Sequence, residues 1–255
     1  MKSQNNTILI TGGGSGIGQG LAQRFHALGN QVIICGRSRK ALDETTAANP
    51  GMRSLTLDIE NPAEITAFGA QIAKDFPALN VAIHNAGIMR PENLLGQLEG
   101  VADAEAMVST NLLGPIRLNA ALLPLLMKQP HSTIMTVSSG LAFLPLAATP
   151  TYCATKAALH SYTQSLRYQL KETMVEVMEL IPPYVQTTLA GLYQLEDPNA
   201  MPMKEFLDEV MAIIKDQPSA TEICVERVKS LRYAAESGNF EGAFKGFNDA
   251  MSSSH

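Results

Sequence analysis

The residue types best suited to proton transfer in this chain are Tyr152 and Lys156, four positions apart on a predicted helix. Side chains at this spacing share one face of a helix. A phenol has an ordinary pKa of about 10, and a neighbouring ammonium favours the phenolate, so we predict a pair that exchanges protons near neutral pH. Ser139 follows the apolar run 133–137 and is expected to bring a hydroxyl to the same place. Because Tyr-x-x-x-Lys also arises by chance, its meaning depends on the rest of the chain.

The overall composition limits what the protein can be. Its 255 residues, 45% hydrophobic, suit one large α/β domain with a single core. A formal net charge of −5 without a basic stripe argues against a nucleic-acid partner. Three cysteines far apart, with no Cys/His cluster, predict reduced thiols in a cytoplasmic protein and no metal site. There is no signal-peptide pattern and no run of about 18 apolar residues, so we predict no membrane span.

A glycine-rich turn joins the first predicted strand, 7–10, to the first predicted helix. Glycines at such a junction let the backbone approach a pyrophosphate, and the amino terminus of the helix offers free N–H groups. A mobile glycine loop would not explain this position between strand and helix. We therefore predict a dinucleotide site that uses Gly12, Gly14, Ser15, Gly16, Ile17 and Gly18.

Apolar strands and amphipathic helices alternate along the chain, with polar segments directly after six successive strands. This alternation predicts a parallel, doubly wound α/β sheet with right-handed crossovers. Ligands bind outside the carboxyl ends of the strands in such sheets. We therefore expect the six polar segments to meet at one edge of the sheet.

The spacing Thr-Gly-x-x-x-Gly-x-Gly at 11–18, together with the later Tyr-x-x-x-Lys, resembles the short-chain dehydrogenase/reductase family. The resemblance extends to about Thr187 and is thin afterwards. It implies a Rossmann-type doubly wound parallel sheet of about six to seven strands with helices on both faces. It also implies hydride transfer between a nicotinamide cofactor and a small-molecule carbonyl or alcohol, and a homodimer or tetramer.

The segment Gly36–Lys40, after the second predicted strand, bears on the choice of cofactor. It has no acid to accept hydrogen bonds from the adenosine ribose, and a guanidinium can grip a 2′-phosphate through two parallel bonds. We predict NADP rather than NAD, with Arg37 as the main contact; a solvated basic turn is the alternative. In the family, an acid at the position of Asp58 contacts the adenine edge. Asp58 could instead cap the next helix, although Asn61 gives the better cap signal.

The segment after the fourth predicted strand resembles a part of the family that passes close to the cofactor. Asn85, Ala86 and Gly87 match that part. His84 departs from the asparagine that the family usually has. We expect a packed, neutral histidine there rather than a titrating group.

Two further resemblances concern the catalytic residues. Asn111, with Gly114 three residues later, matches the family's asparagine that holds a water linking the catalytic lysine to solvent. Ser139 lies thirteen residues before Tyr152, the usual separation in the family. The resemblance thus implies that Ser139 hydrogen-bonds the carbonyl oxygen and Tyr152 donates the proton. Lys156 would lower the pKa of Tyr152 and bind the nicotinamide ribose.

The segment after the sixth predicted strand resembles the family's nicotinamide contacts at Val185 and Thr187. Pro182-Pro183 replaces the usual Pro-Gly, which removes conformational freedom and an N–H from the turn. In this double proline the segment resembles the DltE-like oxidoreductases, which have two prolines at the same place.

We expect one domain over residues 1–255, with a substrate lid over about 188–216. As a lid, it would turn Tyr184, Leu189, Leu192 and Tyr193 toward the pocket. The apolar segment 141–146 is expected to line the pocket or to pack on a partner subunit. Further expectations are helices over 104–127, 203–215 and 221–237, and a flexible tail over about 250–255.

These features together predict an NADP-dependent oxidoreductase acting on a carbonyl or a secondary alcohol. The alternative is a non-catalytic NAD(P)-binding sensor on the same fold, which would not need Asn111, Ser139, Tyr152 and Lys156 together. A purely structural partner protein would not need the glycine turn.

Overall fold

The computed structural model describes residues 1–96 and 101–252. Seven parallel strands form one sheet in the order β3-β2-β1-β4-β5-β6-β7. The strands are β1 (Thr7–Thr11), β2 (Gln31–Gly36), β3 (Arg53–Thr56), β4 (Val81–His84), β5 (Ser132–Val137), β6 (Val175–Ile181) and β7 (Glu222–Cys224). The predicted parallel, doubly wound sheet is confirmed.

Helices flank the sheet and alternate with its strands. They are α1 (Gly16–Ala27), α2 (Arg39–Ala47), α3 (Pro62–Asp75), α4 (Ala102–Val108), α5 (Gly114–Leu126), α6 (Pro150–Gln169), α7 (Met203–Asp216), α8 (Lys229–Arg232) and α9 (Phe240–Ser252). Asn61 caps α3, as predicted, by accepting hydrogen bonds from the N–H groups of Ala63 and Glu64. Within the described ranges, no helix combines the length and apolar character that crossing a membrane requires.

The sheet has a hydrophobic core on each face because successive side chains of a strand point to opposite sides. In β1, Ile8 and Ile10 join one core, which includes Phe25 of α1 and Phe206 of α7. Leu9 joins the other core, between the sheet and the helices α3 and α5. With both faces covered, ligands can reach the strands chiefly at their ends.

The prediction of one long helix over 104–127 is wrong in one respect, since a π-helical turn at Ser109–Leu113 separates α4 from α5. The N–H of Gly114 donates to the carbonyl of Ser109, an i to i−5 bond. Pro115 has no N–H to donate to the carbonyl four residues back, so the regular pattern cannot continue there. The interruption places Asn111 inside the π-helical turn.

The helix predicted over 221–237 is also wrong at its start, where the chain forms the edge strand β7. Ile223 and Val225 are completely buried, and Leu180 of β6 pairs with Ile223. Their period of two suits a strand, and helical structure begins only at Glu226. The predicted tail differs as well, because α9 extends to Ser252; residues 253–255 lie outside the described part of the chain.

Candidate active site

The glycine turn is fixed to the end of β4 by hydrogen bonds. The hydroxyl of Thr11 accepts bonds from the N–H groups of Asn85 and Ala86, both 3.0 Å long, and the Asn85 amide donates to the Thr11 carbonyl. Gly12 has a φ of +66°, and a Cβ on Gly18 would lie 2.4 Å from the Gly12 carbonyl oxygen. Side chains at these two positions would therefore strain or block the turn.

Two neighbouring cavities that share lining residues lie at the carboxyl ends of the strands, with volumes of about 300 Å³ and 240 Å³. The first is lined by the predicted residues Gly12, Ser15, Gly16, Ile17, Asn85, Ala86, Gly87, Ser139, Tyr152, Lys156, Val185 and Thr187. The second shares Gly12, Ser15, Ala86 and Gly87 and adds Gly14 and Arg37. Gly18, Asp58 and Asn111 line neither cavity.

Tyr152 and Lys156 project from α6 into the first cavity, and both are at most 5% exposed. The Lys156 ammonium lies 5.7 Å from the Tyr152 ring centroid and donates to the Val137 carbonyl at 2.8 Å. Burial lowers the pKa of Lys156 to about 8, while the negative charge of Glu179 opposes this change. Burial raises the pKa of Tyr152 above its ordinary value, although its hydrogen bond with Ser139 opposes the rise. The expected lowering of the Tyr152 pKa is therefore wrong, since desolvation of the phenol dominates.

Ser139 stands opposite the tyrosine, after the end of β5. Its hydroxyl accepts a hydrogen bond from the N–H of Leu141 at 3.1 Å and shares a hydrogen bond with Tyr152. Two hydroxyls on separate elements thus converge in the first cavity, with the Lys156 ammonium beside them. A carbonyl oxygen placed between the hydroxyls could accept two hydrogen bonds.

Asn111 is completely buried in the π-helical turn that separates α4 from α5. Its side-chain oxygen accepts from the N–H of Ile88 at 2.9 Å, and its amide donates to the Ile88 carbonyl and to Thr155, the neighbour of Lys156. A Cβ on Gly87 would lie 3.6 Å from the Lys156 Nζ. The Asn111 side chain therefore joins the segment after β4 to α6, directly behind the lysine.

Arg37 lines the second cavity and forms a 3.1 Å ion pair with Glu60. The same Glu60 oxygen accepts a bond from the Thr110 hydroxyl at 2.8 Å. Asp58 shapes this loop by accepting from the N–H of Glu60. Glu60 was missed by sequence reasoning, and an acidic residue shortly after the end of β3 was the signal that could have drawn attention to it. Arg39 is paired with Asp43 on α2 and lines neither cavity.

His84 is buried at the end of β4, where its Nε2 lies 2.7 Å from the side-chain oxygen of Asn119. Burial lowers the pKa of His84 to about 4, so the ring is neutral at neutral pH. The prediction of a packed, neutral histidine is confirmed.

The segment after β6 closes the first cavity from the other side. Gln194 lines this cavity, is 3% exposed, and donates to the Val185 carbonyl at 2.7 Å. Its side-chain oxygen accepts from the N–H of Ala190. Met201 then pairs with the backbone around Val185. Sequence reasoning missed Gln194, because a short 3₁₀ turn leaves no periodic pattern of apolar residues in the sequence from which its burial could be predicted.

The residues expected to face the pocket from the lid are mostly elsewhere. Leu189 lines the first cavity. Leu192 and Tyr193 are 78% and 56% exposed, and Tyr184 donates to Asp197. These three side chains do not line it, and the 3₁₀ turn Leu192–Leu195 leaves those of Leu192 and Tyr193 exposed.

The segment 141–146 was expected to line the pocket or a partner subunit, but it lines neither cavity. Within the chain, Leu144 is buried and Phe143 contacts the ring of His160. Packing of this segment on a partner subunit stays a prediction. The Arg232 guanidinium lies 4.4 Å from the Phe143 ring centroid.

Both the sequence and the structure of this chain resemble those of known oxidoreductases. Residues 6–197 match the family model described as short chain dehydrogenase. The uncharacterized oxidoreductase DltE of Bacillus subtilis is 39% identical over 97% of this chain and 98% of its own length. The NADPH complex of a short-chain dehydrogenase from Sphingobium yanoikuyae has a TM-score of 0.79 at 24% identity, covering 94% of this chain and 95% of that one.

A third similar protein was solved with the other nicotinamide cofactor. It is a short chain dehydrogenase/reductase from Burkholderia phymatum in complex with NAD, with a TM-score of 0.81 at 19% identity. This likeness covers 94% of the present chain and 97% of that chain. The two solved structures thus share the fold and differ in the cofactor they hold.

Proposed function

The chain belongs to the short-chain dehydrogenase/reductase family, and we propose that it transfers a hydride between NADP(H) and a carbonyl or secondary alcohol of a small molecule. One observation carries the proposal. Ser139, Tyr152 and Lys156 converge in a cavity that also includes the glycine turn. A proton donor and a dinucleotide-type turn are thereby held in one space, as carbonyl reduction requires.

The shape of the site suits a nicotinamide dinucleotide. Two neighbouring cavities offer room for the two halves of such a cofactor, and Gly12 and Ser15 of the glycine turn line both of them. A Cβ on Gly12 would lie 2.9 Å from the Asn85 amide, so glycine leaves the backbone accessible there. When bound, the cofactor supplies or accepts the hydride. The residues proposed to hold it are Gly12, Gly14, Ser15, Gly16, Ile17, Arg37, Asn85, Ala86, Gly87, Tyr152, Lys156, Val185 and Thr187.

The remaining chemistry is assigned to side chains of this chain. Ser139 donates a hydrogen bond to the substrate carbonyl oxygen, and Tyr152 donates its proton as that oxygen becomes an alkoxide. Burial raises the pKa of Tyr152, so the phenol is protonated at neutral pH. It gives this proton to the developing alkoxide because an alkoxide is a stronger base than a phenolate. The positive charge of Lys156 then stabilises the phenolate that remains. In alcohol oxidation the same proton moves in the opposite direction.

Arg37 supports NADP as the cofactor of choice. Its guanidinium lines the second cavity and is 57% exposed, so it can turn toward a 2′-phosphate. Glu60 opposes this choice, because its carboxylate holds Arg37 and would repel a phosphate. We propose that Arg37 exchanges Glu60 for the phosphate when NADP binds.

We propose further that residues 1–255 form one domain, that 188–216 cover the substrate, and that the protein is a cytoplasmic homodimer. Exposed apolar side chains at α5 and α6 support the dimer, with Met127 52% and Tyr168 70% exposed. The free thiols, of which Cys35 and Cys153 are buried, support a reducing compartment. Light scattering on the purified protein measures the number of subunits.

The deciding experiment follows NADPH oxidation with a panel of aldehydes, ketones and diketones, alongside binding titrations of NADPH and NADH. Turnover with any of them supports the proposal, and the trend across the panel outlines the pocket. Tight binding of NADPH without turnover on a broadened panel would favour a non-catalytic sensor. Failure to bind either cofactor would contradict the assignment of the glycine turn.

A further inference from the structure

We propose that Gln194 is a positioning residue whose side-chain amide fixes the backbone at Val185, so that the Val185 N–H is presented to the nicotinamide half of the cofactor. The inference rests on the proposed function, because that function makes Val185 a cofactor contact. Gln194 belongs to the 3₁₀ turn Leu192–Leu195, and it lines the first cavity together with Val185.

The backbone on either side of Val185 is held by Met201. The N–H of Met201 donates to the Tyr184 carbonyl at 2.8 Å, and the Met201 carbonyl accepts from the N–H of Gln186 at 2.9 Å. The peptide bonds here are trans, so the N–H and C=O of each peptide group point in opposite directions. The N–H and the C=O of Val185 therefore both point away from Met201.

Gln194 meets the carbonyl that Val185 turns away from Met201. Its Nε2 donates to this carbonyl at 2.7 Å, and its Oε1 accepts from the N–H of Ala190 at 2.8 Å. A carbonyl can only accept and a backbone N–H can only donate, so these two partners fix the orientation of the amide. Because Gln194 is only 3% exposed, little water can replace either bond.

A side-chain amide is the group that this position requires. It supplies a donor and an acceptor at once, whereas an ionised carboxylate supplies acceptors alone and an apolar side chain supplies neither. The turn that carries it begins after Gly191, whose φ of +134° favours glycine and whose N–H donates to the Thr188 carbonyl at 3.2 Å. The turn thus brings the amide of Gln194 back to Val185.

One polar group of Val185 is left over. Its N–H donates to no group within residues 1–96 and 101–252, although Val185 is only 2% exposed. Buried N–H groups in folded proteins nearly always have a hydrogen-bond partner. Because Val185 lines the first cavity, an acceptor on a ligand in that cavity can be this partner. A carboxamide oxygen, such as the one on a nicotinamide ring, is an acceptor of this kind.

Gln194 determines the direction of this N–H. Three hydrogen bonds fix the peptide groups beside Val185, two to Met201 and one to Gln194. Without the Gln194 amide, the Val185 carbonyl would be buried without a partner, and the backbone would rotate to find one. The nicotinamide half of the cofactor would then bind less tightly. The adenosine half would be unaffected, because neither Val185 nor Gln194 lines the second cavity.

The test compares two ligands in direct binding titrations. NADP has both halves of the cofactor, whereas 2′,5′-ADP has the adenosine half alone. Gln194→Met keeps the length of the side chain and removes both hydrogen bonds. It is expected to weaken NADP binding by about 10-fold and to leave 2′,5′-ADP binding unchanged. An unchanged or tighter affinity for NADP overturns the inference, and so does equal weakening of both ligands.

Two further variants separate the bond to Val185 from other effects. Gln194→Glu keeps an acceptor for Ala190 and loses the donor to Val185, so it should weaken NADP binding at neutral pH at least as much as Gln194→Met. If Gln194→Glu keeps the affinity of the wild type, the bond to Ala190 is sufficient and the inference is wrong.

Gln186→Met is the matched control, because it makes the same substitution eight residues earlier. Gln186 lines neither cavity, and its bond to Met201 uses the backbone, which the variant keeps. The affinity of Gln186→Met for NADP should equal that of the wild type. A loss as large as in Gln194→Met would assign the effect to the whole segment and overturn the inference.

A measurement on the wild type covers the case in which the variants do not fold. In NMR spectra, the Gln194 side-chain N–H₂ should exchange slowly with solvent before any ligand is added, and rapid exchange overturns the inference. The Val185 amide signal should shift on addition of NADP and not of 2′,5′-ADP, and the absence of a shift with NADP also overturns it. A wild type that binds no NADP refutes the proposed function together with this inference, whereas binding without turnover refutes the hydride transfer alone.

Discussion

The Nζ of Lys156 lies 2.8 Å from the carbonyl oxygen of Val137, the last residue of β5. This hydrogen bond ties the ammonium to the strand that leads into Ser139. The cation therefore keeps its place independently of the phenol of Tyr152, whose ring centroid is 5.7 Å away. Because the two groups are held separately, the contribution of each can be tested by its own substitution.

Removal of the Tyr152 hydroxyl should stop turnover without disturbing the cofactor site. Tyr152→Phe is expected to lower kcat by about 100- to 10,000-fold, because the proton donor is lost while the ring remains. The dissociation constant of NADPH, measured by fluorescence titration, should change little. Tyr162→Phe is the control. Tyr162 lies on the same helix and lines neither cavity, and its hydroxyl accepts a hydrogen bond from the Asn119 amide. Substantial activity in Tyr152→Phe would refute the assignment.

Substitution of Arg37 should change the choice of cofactor. Arg37→Asp is expected to weaken NADP binding by about 10- to 100-fold, the value of a lost charged hydrogen-bond pair, and to affect NAD much less. Binding titrations of both cofactors measure the ratio. Arg39→Asp alters a nearby arginine of α2 that lines neither cavity and should leave the ratio unchanged. An unchanged ratio in Arg37→Asp would mean that the phosphate is recognised elsewhere.

Neutralisation of Glu60 should have the opposite effect on the same ratio. Glu60→Gln keeps an acceptor for Thr110 but removes the charge that holds Arg37. We expect NADP binding to tighten by about threefold to tenfold, because a partly exposed ion pair no longer competes with the phosphate. Isothermal titration calorimetry with NADP and NAD checks this. Equal changes for both cofactors would show that Glu60 does not act through the 2′-phosphate.

The activity should fall on the alkaline side as Lys156 loses its proton. The pKa of Lys156 is lowered to about 8, so the ammonium is charged below this pH and neutral above it. We expect kcat/KM for carbonyl reduction to be level below about pH 7 and to decline through about pH 8. Initial rates across this range measure the profile. Lys156→Arg keeps its charge throughout, so its remaining activity should lack this decline.

His84 should make the fold sensitive to acid. Its pKa is about 4 in the folded chain and 6.5 in its ordinary state, so between these values the unfolded chain binds a proton that the folded chain does not. The free energy of unfolding therefore falls as the pH decreases from 6.5 toward 4, by about 2 kcal/mol at about pH 5. His84→Asn should lack this loss. Urea unfolding of both proteins near neutral pH and near pH 5 isolates the difference, and identical pH dependence would contradict the expectation.

Several parts of the site could be predicted because they depend on local order along the chain. A glycine turn between a strand and a helix needs residues without side chains, whatever surrounds it. The four-residue spacing of Tyr152 and Lys156 is a property of any helix. Parallel strands joined by helices bring their carboxyl ends to one edge, so the residues that follow them meet there.

Other features required knowledge of which residues meet in space. The strand β7 has a short apolar pattern that suits a helix equally well, and its pairing with β6 decides between them. The ion pair of Arg37 with Glu60 joins residues from the ends of two neighbouring strands. Gln194 faces the first cavity because a short 3₁₀ turn directs it inward.

The residues by themselves determined the alternation of the first six strands with helices, the glycine turn and the positions of Ser139, Tyr152 and Lys156 along the chain, because periodicity and spacing are written in the sequence. The tertiary structure decided the pKa values of Tyr152 and Lys156. Tyr152 has a raised pKa because the fold buries it, and Lys156 keeps a pKa of about 8 with Glu179, 23 positions later in the chain, opposing a further decrease. Desolvation and charge interactions depend on distance and burial in space, and neither quantity follows from the order of residues.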